Sequence, residues 1–228
     1  MHQSRKIVPA LLTAMLVAGC GGAKVTVNDP SIPEPLIDQL QLNVAAKYPV
    51  AFDHFVHEEK VMGKEKWSID LGGSNRLLFT KLFNSMFTEF NVVATDADPK
   101  DLMFDALIEP SIDAFEFSVP SQSQTDEFAV WIRYRIKIFD NEGVQIANWP
   151  IAAYGKSLAD SFGSDNALQR AAILAMRDAA ALIILQMDKA TGISKLSKTH
   201  ANRDMPSSET EDSPLQTTAA EEAPDESN

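Results

Sequence analysis

Apolar and polar side chains alternate without a break from Ile132 to Ile138, within the strand-like stretch Ala129 to Phe139. Val130, Ile132, Tyr134, Ile136 and Ile138 share one face, and Trp131, Arg133, Arg135 and Lys137 share the other. A period of two predicts a strand with one buried face. Asp140-Asn141-Glu142-Gly143 predicts a turn, and Val144 to Trp149 the returning strand of a hairpin. Upstream, Phe104, Ala106, Ile108, Ile112 and Ala114 keep an even register over Leu102 to Phe117, with Pro110 marking a kink or an edge. Val44 to Phe52 reads as a further strand, interrupted or edged at Pro49.

Elsewhere the period changes from two to between three and four. Phe79, Leu82, Phe83, Met86, Phe87 and Phe90 form one apolar stripe, which predicts a helix from Asn75 to Phe90. Gly72-Gly73-Ser74 opens it, with Ser74 as the expected N-cap. A last helix is expected from Ser164 or Asp165 through Met187. Its alanines permit close approach to a sheet, while Leu168, Leu182, Ile183 and Met187 fill the gaps. The predicted order is β-α-β-β-β-α. It gives an α+β fold, a two-layer sandwich of a mostly antiparallel sheet with two helices packed on one face.

The two ends of the chain depart from this pattern. Arg5 and Lys6 precede an uncharged run from Ile7 to Ala18, followed by Gly19-Cys20-Gly21-Gly22. That is the layout of a signal peptide, and the run is too short for a lasting membrane-spanning helix. Val17-Ala18-Gly19-Cys20 resembles the lipobox of bacterial lipoproteins, with Val17 where leucine is usual. The resemblance implies cleavage before Cys20 and acylation of its thiol. With Gly21 rather than Asp after the cysteine, it also implies an address at the periplasmic face of the outer membrane. Cys20 is the sole cysteine, so no intramolecular disulfide can form. The expected organisation is a signal peptide over 1–19, a lipidated tether over 20–40, one α+β domain over 41–190 and a disordered acidic tail over 191–228.

Charge narrows the function classes. Removing residues 1–19 takes away Arg5 and Lys6 and shifts the formal charge from -12 to -14. Half of that lies beyond residue 200, where eight acids face Arg203 alone. A chain this acidic cannot neutralise phosphates along a nucleic acid, and that class is excluded.

Candidate chemistry is sparse. His54, His57 and Glu58 are ligand types that zinc accepts. On a strand, positions three apart point to opposite faces, and the His-Glu-x-x-His order of a zinc protease helix is missing. Exposed loop residues are expected there, and no metal is assigned. Gly155-Lys156-Ser157 has Pro150 where a phosphate-binding loop needs glycine. Ser164-Asp165-Asn166 has no Ser-x-x-Lys nucleophile to serve. No cofactor is expected.

The basic, aromatic stripe of Trp131, Arg133, Arg135 and Lys137, with Trp149 as a second anchor, remains as a candidate partner-binding surface. Asp105, Glu109 and Asp113 on a nearby strand offer internal partners to the same cations. In the lipobox cysteine, the Pro-containing first strand, the helix Asn75 to Phe90, the strand Phe128 to Phe139 and the Ala-rich helix Asn166 to Met187, the chain resembles the lipopolysaccharide-assembly lipoproteins and the auxiliary lipoproteins of ABC-type lipid transporters. The resemblance implies a non-catalytic helper that binds a membrane-embedded partner or a lipid. A structural or regulatory lipoprotein contacting cell-wall machinery is the alternative. A metal-dependent hydrolase built on His54, His57 and Glu58 is the third class.

Overall fold

The computed structural model describes residues 23–31, 35–98, 100, 103–159, 163–187 and 193. The lipobox with Cys20 and the acidic tail beyond residue 193 lie outside the described residues. Strands β1 (Lys24–Thr26) and β2 (Leu40–Lys47) precede a one-turn helix α1 (Val50–Asp53) and the hairpin β3 (Val56–Val61) and β4 (Glu65–Asp70). Helix α2 (Gly72–Met86) runs directly into β5 (Phe87–Val93). Then come β6 (Ala106–Ser118), the short α3 (Pro120–Ser123), β7 (Glu127–Asp140), β8 (Gln145–Leu158) and α4 (Ser164–Met187).

These elements build an α+β sandwich with two sheets, a five-stranded one in the order β5-β2-β6-β7-β8 and a three-stranded one in the order β1-β4-β3. The predicted alternation of β7 holds along its length: Val130, Ile132, Tyr134, Ile136 and Ile138 are all buried. β6, β7 and β8 pair antiparallel, whereas β2 runs parallel to both β5 and β6. Helices α2 and α4 cover the inner face of the large sheet. Tyr134 meets Phe79 of α2 with ring centroids 5.2 Å apart, and Phe52 of α1 meets Phe79 at 5.3 Å. The small sheet covers the remainder of that face, where Trp67 packs on Phe117 and Phe128 and His57 on Phe115.

Several boundaries differ from the sequence expectation, each for a local reason. Pro49 does not edge a strand but precedes α1, with φ −59° and ψ 146°. Helix α2 stops at Met86, because Phe87 turns extended and Phe87 to Val93 pair with β2. Phe87 and Phe90 are therefore strand residues. Ser74 is not the cap of α2. It sits inside the first turn and donates to the Leu71 carbonyl at 2.9 Å, while Asp70 Oδ1 accepts the Gly72 N–H at 3.1 Å. In β6 the register shifts between Ile112 and Ala114, so that Asp113 is an extra residue and Phe115 and Phe117, rather than Ala114, enter the core. Pro110 lies just past Ile108, where β6 loses β2 as a neighbour, and a free strand edge accommodates a proline.

The expected tether is corrected over its first part. Val25 and Val27 are buried, and the Ala23 carbonyl accepts the Ser68 N–H at 2.9 Å. Gln169 donates to the Thr26 carbonyl, and Arg177 to the carbonyls of Pro30 and Ser31. Residues 23–31 are thus part of the folded body, clamped onto α4. The alternation of Val25 and Val27 across Thr26 is too short for period-two reading to distinguish from a linker.

Candidate functional site

The outer face of the large sheet carries the odd-numbered residues of β7. Trp131 stands between Glu116 of β6 and Tyr154 of β8 in the strand register. The Trp131 and Tyr154 rings meet with centroids 5.1 Å apart and planes tilted by 42°. Trp131 is 43 % exposed and Tyr154 42 %. A strand pair holds both rings at fixed positions, so the patch is presented without ordering a loop.

Charges flank the aromatic pair on both sides and are largely committed to one another. On one side Lys156 donates to Glu127 at 2.9 Å, and this contact raises the lysine pKa above its ordinary value. On the other side Arg135 bonds Asp113 through Nε at 2.8 Å and through Nη2, and Asn148 accepts from Nη1 at 2.9 Å. The Arg135 hydrogen bond holds the Asp113 carboxyl below its ordinary range, with Arg133 and Lys137 adding positive potential. The same bond raises Arg135. At the far end Glu109 bridges Lys47 at 3.2 Å and Lys137 at 3.8 Å. Lys137 faces Glu109 directly in the register of β6 against β7, whereas Arg135, opposite Ser111, reaches Asp113 at the bulge. Asp105 instead accepts the Asn43 N–H at 2.8 Å.

Of the proposed partner-binding residues, Trp131, Arg133, Arg135 and Lys137 share this face. Trp149 does not. It lies on the opposite side of β8, half-buried, and its indole N–H donates to Gln186 of α4 at 3.1 Å. Tyr154 takes the place expected of it. The sequence expectation carries the returning strand only to Trp149, whereas β8 runs on to Leu158. The continuing alternation of Ile151, Ala153 and Gly155 with Ala152, Tyr154 and Lys156 was the available signal.

His54, His57 and Glu58 do not converge. His54 is exposed just after α1. The His57 ring turns inward against Phe115 and Phe117, at 5.1 and 5.8 Å. Glu58 points to the opposite face of β3 and pairs with Lys66 at 3.1 Å. Among the described residues no group of three His, Cys, Asp or Glu is placed to hold a metal ion. Gly155 lies under α4, where a Cβ would come within 2.2 Å of the Ala171 carbonyl oxygen, so its role is close packing. Among the described residues no helix is long and apolar enough to cross a membrane.

No family model matches the chain, and no curated protein does. Solved structures offer distant likenesses. A candidate lipoprotein from Caulobacter crescentus CB15 is 12% identical, with 57% of this chain and 83% of that one covered and a TM-score of 0.36. The hypothetical protein CT253 from Chlamydia trachomatis is 10% identical over 65% of this chain and 96% of that one, with a TM-score of 0.37. Lipoprotein GNA1162 from Neisseria meningitidis is 11% identical over 74% and 99%, with a TM-score of 0.28.

Proposed function

We propose that this chain is a lipid-anchored lipoprotein of the bacterial envelope that acts without catalysis. In this reading Cys20 carries the acyl chains, the protein works at the periplasmic face of the outer membrane, and the Trp131–Tyr154 face binds a membrane-embedded partner in envelope assembly or transport. The observation that carries the binding role is the aromatic pair. Two large rings stand over two-fifths exposed on a rigid sheet, while most charges around them are satisfied within the protein. Such an arrangement leaves apolar surface as the unspent interaction, and buried aromatic anchors dominate the energetics of protein interfaces.

The test has two arms. Cys20→Ala should abolish partition with membranes, and a variant that still fractionates with the outer membrane would refute the anchor. A photo-crosslinking side chain at position 152, beside Tyr154 on the outer face, should capture a transporter or barrel subunit in cells. That product should disappear when Trp131 and Tyr154 are both replaced by alanine. Persistence of the product, or capture of peptidoglycan synthases instead, would overturn the assembly or transport role.

A further inference from the structure

Ala23, the first described residue, lies three positions after Cys20, a span of at most roughly 10 Å. β1 runs parallel to β4 with Lys24 opposite Ser68. The end of β1 that leads back to Cys20 therefore lies at the same end of the small sheet as the turn joining β3 to β4. That turn has Met62 at φ 49° and Gly63 at φ 73°, so a methionine occupies a conformation that favours glycine. Met62 is 70 % exposed. Lys60, Lys64 and Lys66 lie within four residues of it along the hairpin, and Lys24 stands opposite Ser68 further along the same sheet, all four exposed. Lys66 pairs with Glu58, but among the described residues Lys24, Lys60 and Lys64 make no ion pair. A shallow hollow of about 510 Å³ runs along the same sheet face, where Lys24, Lys64 and Lys66 are balanced in part by Glu58 and Asp70.

On a chain of formal charge -12, the tip from residue 60 to 66 carries three lysines against the single acid Glu65, while Glu58 and Glu59 lie behind it. An acidic protein held within about one Debye length of an anionic leaflet is repelled by it, unless the near surface is basic. We propose that the β3–β4 tip is the surface that rests on the leaflet holding the anchor. Met62 enters the boundary between headgroups and acyl chains, and Lys24, Lys60 and Lys64 contact the phosphates of anionic phospholipids. This rests on the reading that Cys20 is acylated. The docked geometry leaves the Trp131–Tyr154 face free, because the small sheet covers the other side of the large one.

The experiment uses the acylated full protein reconstituted in phosphatidylcholine vesicles, with and without phosphatidylglycerol. Met62→Cys and, separately, Val144→Cys at the β7–β8 turn are labelled with a fluorophore, and the lipids carry a headgroup-depth quencher. Acylation blocks the one native thiol. The Met62 label should be quenched in the anionic vesicles and the Val144 label should not. Replacing Lys24, Lys60 and Lys64 together by glutamine should lower the ratio of docked to undocked protein roughly 100-fold, at about 5-fold per lysine. Equal quenching at both positions, or quenching indifferent to the lysines or to phosphatidylglycerol, would overturn the docking surface and leave the anchor standing. Mass spectrometry of the membrane-extracted protein reads the anchor separately, and a free Cys20 thiol would overturn both.

Discussion

Tyr134 donates its hydroxyl to Asn75 Oδ1 at 2.8 Å, joining β7 to the first turns of α2 inside the core. Both residues are fully buried, and Asn75 Nδ2 has no partner among the described residues. Tyr134→Phe removes the donor and leaves the whole amide unsatisfied, which costs about 1–3 kcal/mol. Adding Asn75→Leu removes the orphaned group, so the double variant should recover most of that loss. Urea denaturation of the three proteins decides it. A Tyr134→Phe protein as stable as the parent would show that the bond contributes nothing.

The contact between α4 and β8 depends on an absent side chain. A Cβ on Gly155 would lie 2.2 Å from the Ala171 oxygen and 2.3 Å from the Ala175 nitrogen, both backbone atoms that cannot rotate away. Gly155→Ala must push α4 off the sheet, at a cost of about 1–3 kcal/mol or more. Gly73 in α2 has nothing within 4 Å of such an atom. Gly73→Ala should therefore be neutral, or stabilise by up to roughly 1 kcal/mol through helix propensity. Thermal melts of the two variants should move in opposite directions or differ clearly. Equal losses would contradict the packing argument.

Long alternation named every inward residue of β7 from Val130 to Ile138, because a period sustained from Ile132 to Ile138 fixes which face is buried. Short elements escaped it. β1 and the β3–β4 hairpin carry too few residues to show a period, and charged side chains such as Glu59 occupy inward-leaning positions at their margins. Phe87 and Phe90 continued a helical spacing that tertiary pairing with β2 interrupted. In the candidate site, Trp131 was legible from its place in the alternation. Its neighbour Tyr154 was not, since adjacency across strands depends on register, which the bulged end of the β7–β8 hairpin sets rather than the local pattern.

Burial also predicts behaviour in alkali. Desolvation raises the Tyr48 hydroxyl from 10.0 to about 12 and pushes Tyr134 far above the ordinary phenol range. In the unfolded chain both lose their protons near pH 10. The unfolded state then binds fewer protons than the native state, so stability falls as pH rises above 10 and through the folded midpoint of about 12. Two of the three tyrosines should stay protonated at pH 11 and ionise together when the fold is lost. Absorbance at 295 nm, followed with near-ultraviolet circular dichroism, measures this. Gradual ionisation of both before any loss of structure would refute their burial.

The acid side is governed by the outer face. Arg135 donates to Asp113, and the bulge in β6 brings that carboxylate within reach. This hydrogen bond, more than the added charges of Arg133 and Lys137, holds the folded pKa of Asp113 below its ordinary 3.8. A depressed carboxylate contributes stability that is present above 3.8 and is lost as pH falls through the lower folded midpoint. The contact is open to solvent, so its effect on global stability is small, and the site titration is the sensitive readout. The carboxyl carbon resonance of Asp113 should titrate below the ordinary value in the parent. In Arg135→Gln it should return most of the way toward 3.8, with a residual depression from Arg133 and Lys137. An unchanged midpoint in Arg135→Gln would mean that the surrounding charges, rather than the guanidinium bond, set the titration of this face.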